Sequence, residues 1–265
     1  MLARISLRST TWQIAAYVAT MLALGALVVR GAAALPYHWQ WERIPPYLVK
    51  SFRGTLYPGA LLRGLGVTVE ISLEAMAVAL LAGLVTALLR RSRSLVARAL
   101  ARVYVELVRN TPLLVQLYLF YFVVAPVLAL TREATAVLAL GLFEGAFAAE
   151  IIRAGILAVP RGQEEAALSL GLRQWPAHRF VVLPQALRIV LPPLSSLAVS
   201  TIKHSAIISV IAVFDLANEG RSIIADTFLT FEVWLTVAGL YLLLTISLSA
   251  CASLLERRLG RPVTV

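Results

Sequence analysis

The sequence predicts an all-α integral membrane protein with about six transmembrane helices. Three observations lead there. The 265 residues are 60% hydrophobic and 14% charged, with a mean hydropathy of +0.83, whereas soluble domains sit near about 45–50% apolar and about 25% charged. The apolar residues fall in six runs, each long enough for a ~30 Å hydrocarbon core at about 1.5 Å per residue. The 24 Lys and Arg residues, which set a net charge of +10, gather mostly in short stretches beside those runs. That is the orientation pattern of a membrane protein, not a nucleic-acid-binding face.

The first run is Trp12 to Val29. Arg4 and Arg8 before it, and Ala32-Ala33-Ala34 before Pro36, have the layout of a cleavable signal peptide. The apolar stretch from Ile14 exceeds the usual h-region of about 7–15 residues, so it is read as a retained span. The second run, about Leu62 to Leu89, carries Glu70 and Glu74; the third is Pro112 to Leu130; the fourth is Ala134 to about Leu157. The fifth begins near Ile189, where Pro192-Pro193 is expected to bend or delay the helix, passes Lys203-His204 and ends near Phe214. The sixth is Val233 to Leu255. Between the first two, Tyr37, Trp39, Trp41 and Tyr47 read as an interfacial aromatic belt supporting a short amphipathic piece.

This divides the chain into a first span with its outer segment (1–60), a core of five spans (61–258) with a loop at 158–188, and a tail (259–265). Placing both termini in the cytoplasm puts 16 of the 24 cations inside, the densest block being Arg90, Arg91, Arg93, Arg98 and Arg102. The lone Cys251 can form no intramolecular disulfide, and no Cys/His cluster suggests a metal site. No catalytic Ser/His/Asp constellation and no Walker A pattern is present, so an enzyme is not expected and active transport would need energy from elsewhere.

The loop holds the most informative residues. Gly162-Gln163 opens it, Glu165-Ala166-Ala167 follows, then Gly171 and Leu183-Pro184. Gly171 interrupts good helix formers and predicts two short helices hinged at a glycine. Ala166 and Ala167 are small enough for another surface to approach the backbone. Elsewhere Thr111-Pro112 after Arg109 reads as a helix start, Thr as N-cap and Pro as the first helical residue. Glu150 and Arg153 stand i,i+3 and suit an ion pair. By span depth Glu74 lies roughly 15–20 Å in, Glu144 roughly 15 Å and Lys203 roughly 20 Å, all near the midplane. Charges there cost about 2.5–3.5 kcal/mol facing lipid, so they are expected to face the bundle or a water-filled path, with His204 and Ser205 beside them. Glu70 and Glu74 share a helical face. Two readings stay open: the charges bind substrate, or they only pair with one another.

Together, Arg109-Asn110-Thr111-Pro112, Ala149-Glu150-Ile151-Ile152-Arg153, the Arg161–Pro184 loop and Ile202-Lys203 to Leu216 resemble the permease subunit of polar amino acid ABC importers. The resemblance implies a type I importer permease fold with a cytoplasmic EAA coupling loop. It also implies a pair of partner ATPases docking there, ATP and Mg bound by those ATPases and no cofactor on this chain. The remaining implied partners are a second, identical or related permease subunit, an extracytoplasmic (periplasmic) amino-acid-binding protein, a polar amino acid as cargo, and a bacterial inner membrane as the site. Two positions depart from the family pattern: His204 stands where Asp is usual, and Phe147 where Tyr is common. The competing class is a secondary transporter or channel using Glu74, Glu144 and Lys203 as an ion path.

Overall fold

The computed structural model describes residues 7–34 and 37–259. The first compact unit ends at Gln40 and contains α1, Leu7–Ala34, a 28-residue helix. Its described apolar side chains, among them Trp12, Tyr17, Leu22 and Leu27, are exposed, as suits a helix whose solvent is lipid. Arg4 and residues 260–265 of the tail lie outside the described residues.

The second unit begins at Trp41, not at residue 61. The boundary moves because residues 41–59 pack on the bundle: Ile44 is buried in one cluster with Leu61, Leu216 and Leu229. This segment holds a short helix α2 (Pro45–Leu48) and an antiparallel hairpin, β1 (Val49–Phe52) and β2 (Thr55–Pro58). A hairpin thus replaces part of the expected amphipathic piece. Arg53-Gly54 turns it, both at positive φ.

The core is built on α3 (Ala60–Arg90) and α7 (Arg132–Leu157). The buried face of α3 is Gly64, Thr68, Ile71, Ser72, Ala75, Ala79 and Gly83, spaced at three and four residues; α7 answers with Ala136, Leu140, Gly145, Ala148 and Ala149. Small residues let two backbones approach where the hydrophobic effect cannot drive association. A Cβ on Gly83 would lie 2.6 Å from Ala148 Cβ and 3.0 Å from the Ala149 nitrogen. Backbone cannot swing aside as a side chain can. Gly83→Val is therefore expected to lower unfolding free energy in detergent by about 2–3 kcal/mol, while Gly66→Val on the same helix, with nothing within 4 Å, stays near neutral.

Five helices are long and apolar enough to cross a membrane, and a bent pair would make six. That pair is α4 (Leu95–Arg109) with α5 (Leu113–Leu119) and α6 (Ala125–Leu128), which meet at 111°. A π-helical turn, Phe120–Val124, joins α5 to α6. The expected third span is thus shorter than residues 112–130 and irregular, and α4 itself was not anticipated. Ser94 caps α4 by accepting from the Ala97 N–H at 3.3 Å.

Beyond α7 come α8 (Arg161–Ser169), α9 (Gln174–Ala177), a π-helical turn at His178–Val182 and α10 (Leu183–Ser205). Pro192 and Pro193 lie inside α10 and do not delay it; bundle helices tolerate such breaks because neighbours satisfy the freed carbonyls. A 3₁₀ segment (Ala206–Ile211) ends that run, and α11 (Leu216–Thr227) and α12 (Thr230–Leu259) follow. Helix α11 has no counterpart in the sequence reading.

Candidate functional site

Two sites were expected, a docking loop and a midplane charge cluster. The loop forms as a hinged pair of helices. Gly171 sits at φ +86°, donates its N–H to the Leu168 carbonyl at 3.0 Å, and is followed by Leu172 N–H to Ala167 O at 3.2 Å. These two bonds close the end of α8 as a Schellman motif, which needs a left-handed residue in that place. On the inner side Val159, Val182 and Ala186 form an apolar cluster. Gln185 Nε2 donates to Gln163 Oε1 at 3.3 Å, and His178 Nδ1 lies 3.5 Å from Glu164.

The outer side of the loop is open. Gly162, Gln163, Glu165 and Ala166 are exposed, and so are Leu170 at 85% and Trp175 at 69%. Side chains this bare are available for contact with another surface. Ala167 is the correction here: it is buried, because it packs on the inner face of α8, so Ala166 alone of the two alanines faces outward.

At the same end of the bundle Glu150 is a hub. Its Oε1 accepts from Arg90 at the end of α3 and its Oε2 from Arg153 at 2.7 and 3.1 Å. The i,i+3 pair was legible; the Arg90 arm ties α3 to α7 and was not. Arg109 lies over the Phe147 ring at 5.6 Å, a cation–π contact in place of a hydroxyl partner.

Thr111 does not cap the following helix. Pro112 is the N-cap, at ψ 140°, and Thr111 Oγ1 instead donates back to the Leu107 carbonyl at 2.8 Å. Gln116 completes the break: its amide donates to Val108 O at 2.8 Å and to Thr111 Oγ1 at 2.7 Å. A sharp bend frees carbonyls at the end of α4, and these side chains satisfy them.

The midplane cluster differs from expectation in its pairing. Glu144 is 1% exposed and accepts from His204 Nδ1 at 2.6 Å; Phe143 meets the same imidazole edge-on at 5.9 Å. Lys203 is exposed and pairs with no carboxylate among the described residues. Glu70 and Glu74 are exposed as well, facing away from α7. Ser205 is buried with its hydroxyl donated to Ile202 O at 2.7 Å, so it is satisfied within its own helix. The structure therefore joins Glu144 to His204, leaves Lys203, Glu70 and Glu74 on the outside of the isolated chain, and turns Ser205 inward.

Two buried acids escaped the sequence reading, Glu232 and Asp215. Asp215 caps α11 by accepting from the Asn218 N–H at 2.9 Å, and Tyr241 Oη donates to it at 3.3 Å. Burial pushes its carboxyl up to about 6, against the pull of these hydrogen bonds and of Arg221. The available signal was an Asp, a preferred N-cap residue, ahead of the polar Leu216–Thr227 stretch that no apolar run marked as a helix.

Comparison with known proteins adds to this geometry. Residues 79–261 match the family described as binding-protein-dependent transport system inner membrane component. The glutamine transport system permease protein GlnP of Escherichia coli K12 is 37% identical over 202 residues, covering 75% of this chain and 92% of that protein. The glutamate/aspartate import permease protein GltJ of the same strain is 32% identical over 225 residues, covering 80% and 92%. Among solved structures, an amino acid ABC transporter crystallised with histidines superposes with a TM-score of 0.71 at 38% identity, covering 75% of this chain and 94% of that one. The MetNI methionine ABC transporter, at 20% identity and a TM-score of 0.64 over 76% of this chain and 96% of that one, shares the fold.

Proposed function

The chain belongs to the family of binding-protein-dependent transport system inner membrane components, and from that premise we infer that a separate ATPase docks on its Arg161–Pro184 segment to drive import of a polar amino acid. It is the membrane-spanning permease subunit of an ABC importer. The observation that carries the docking assignment is the Schellman-hinged pair α8–α9, with Leu170 and Trp175 bare on its outer side. Such a surface has no role in a chain that moves cargo unaided. In this reading the ATPase, not this chain, binds ATP and Mg.

The rest of the reading follows from charge. Lys203, Glu70 and Glu74 are exposed on helices within the membrane-spanning set, where facing lipid would cost about 2.5–3.5 kcal/mol each. A second permease subunit, identical or related, and an aqueous path between the two would take them out of lipid. Arginine distribution supports a reading in which both termini and the docking loop face the cytoplasm of a bacterial cell and an amino-acid-binding protein delivers cargo on the opposite side of the inner membrane. Native mass measurement of the intact complex is expected to find two permease chains and two ATPase chains. A fully active complex with one permease chain would overturn the paired arrangement.

A further inference from the structure

An apolar groove of about 390 Å³ runs between α3, α7 and α10 at the end of the bundle that carries the coupling loop. Its walls include Leu84, Leu88, Ile152, Ile156, Leu187 and Val190, and almost nothing polar reaches it. Beside it lies a mixed pocket of about 190 Å³, in which Arg91, Arg161, Glu164 and His178 join apolar residues such as Val159 and Val182 in the lining. Ile156 lines both spaces, so they meet at its side chain.

From these two neighbouring spaces we propose a site for one anionic phospholipid, its acyl chain in the groove and its phosphate in the pocket. The inference rests on the cytoplasmic placement of the loop argued above. Between Leu80 and Leu88 on α3 the groove extends on the order of 12 Å, close to the ~15 Å hydrocarbon depth of one leaflet. Its walls are thus matched in length and polarity to a lipid tail. The charge at the mouth suits the head. Arg91 and Arg161 have no carboxylate partner among the described residues, whereas Arg90 beside them is engaged by Glu150. Arg91 Nη2 lies 3.4 Å from His178 Nε2, which holds the guanidinium at the rim. Glu164 near His178 offsets part of the positive charge, leaving a mouth that is positive by one with the imidazole neutral and by two with it protonated. Basic pockets between helices on the cytoplasmic side are the usual receptors for anionic headgroups.

The position gives such a lipid a consequence for transport. Arg161 and Glu164 are in the first turn of α8, and His178 opens the π-helical turn that leads into α10. A phosphate held there bridges the end of α3 to both arms of the coupling loop and braces the loop against the movement the ATPase imposes on it.

The complex of this chain with its native ATPase, extracted in mild detergent, is expected to retain phosphatidylglycerol or cardiolipin at about one per permease chain by native mass spectrometry. Arg91→Gln with Arg161→Gln is expected to lower that retention by about thirtyfold, from two lost charges near the headgroup. Leu187→Trp, which fills the groove and leaves the mouth intact, is expected to lose the lipid as well, and it carries the test alone if the double variant does not assemble. Equal retention by wild type and both variants would overturn the site. Loss with the arginine variants but not with Leu187→Trp would reduce it to surface attraction without a bound tail, and a cross-link from the groove to a protein helix would assign it to another occupant. Impermeant thiol labelling of Ser169→Cys, in a Cys251→Ser background, reports the orientation of the loop independently of any lipid result.

Discussion

Gly171→Asp is expected to leave the chain in the membrane, to loosen the ATPase and to lower ATP-driven uptake about a hundredfold, the scale of losing an interface hot spot. The cause is local. Residue 171 holds φ +86° to close α8, a conformation that costs a non-glycine residue roughly 1–2 kcal/mol. An aspartate also places a negative charge at a helix C-terminus, where the dipole disfavours it. The space around Gly171 is empty, with nothing within 4 Å of an added Cβ, so no clash within the chain would account for the loss. Gly171→Ala separates the two causes: it strains the backbone without adding charge, and an intermediate loss of uptake is expected. Normal uptake by Gly171→Asp would remove the main support for coupling through this loop.

The second large effect concerns the buried pair. Glu144 is 1% exposed and its carboxylate accepts from His204. His204→Ala strands that charge within a membrane-spanning helix and is expected to cost about 2–3 kcal/mol, toward the lower end for a broken buried pair because the imidazole is itself partly exposed. Assembly should suffer before transport chemistry does. Replacing both residues, Glu144→Leu with His204→Leu, removes the stranded charge and is expected to restore assembly. Restored assembly with uptake near wild type assigns the pair to structure; restored assembly with uptake lost places it on the substrate path. Lys203→Met, by contrast, is expected to depress uptake while leaving assembly and the basal ATPase rate largely intact, since Lys203 is exposed and unpaired among the described residues.

The contrast between residues 203 and 204 shows what the sequence could and could not reveal. Depth along a span was reckoned from rise per residue for Glu144, Lys203 and Glu74 alike. Azimuth was not, because neighbours on a helix point about 100° apart, and which of them meets α7 depends on how α10 is rotated in the bundle. Glu74 was given its depth in the same way and Glu70 a shared helical face with it, yet both are exposed, off the face of α3 that meets α7. The spans of α3, α7 and α12 were legible because long apolar runs dominate them. Helix α4 was hidden by its three arginines, Arg98, Arg102 and Arg109, which with Arg90, Arg91 and Arg93 upstream read as a topogenic block although these three lie along an amphipathic helix. Helix α11 was hidden by its polarity, and the hairpin by the aromatics around it, which read as a short amphipathic interfacial piece.

Within the loop the outcome was more favourable. The hinge needs a residue of positive φ just past a helix, and glycine after a run of helix formers announces that need in one dimension. Burial of Ala167 is a tertiary matter, set by how α8 sits on the rest of the chain, and no local pattern distinguishes it from Ala166. The Arg90–Glu150 tie joins residues far apart in sequence, so only the Arg153 arm, one turn away, could be read directly. A self-sufficient secondary transporter, the competing class at the outset, gives way to membership of the importer family.

The most direct measurement is uptake by sealed proteoliposomes containing this chain, its ATPase and its binding protein, with ATP supplied at the ATPase face. Uptake of a polar amino acid that starts with ATP and ceases when the ATPase is omitted is the predicted result. Uptake that persists without the ATPase, or that follows an imposed ion gradient in the absence of ATP, would contradict it.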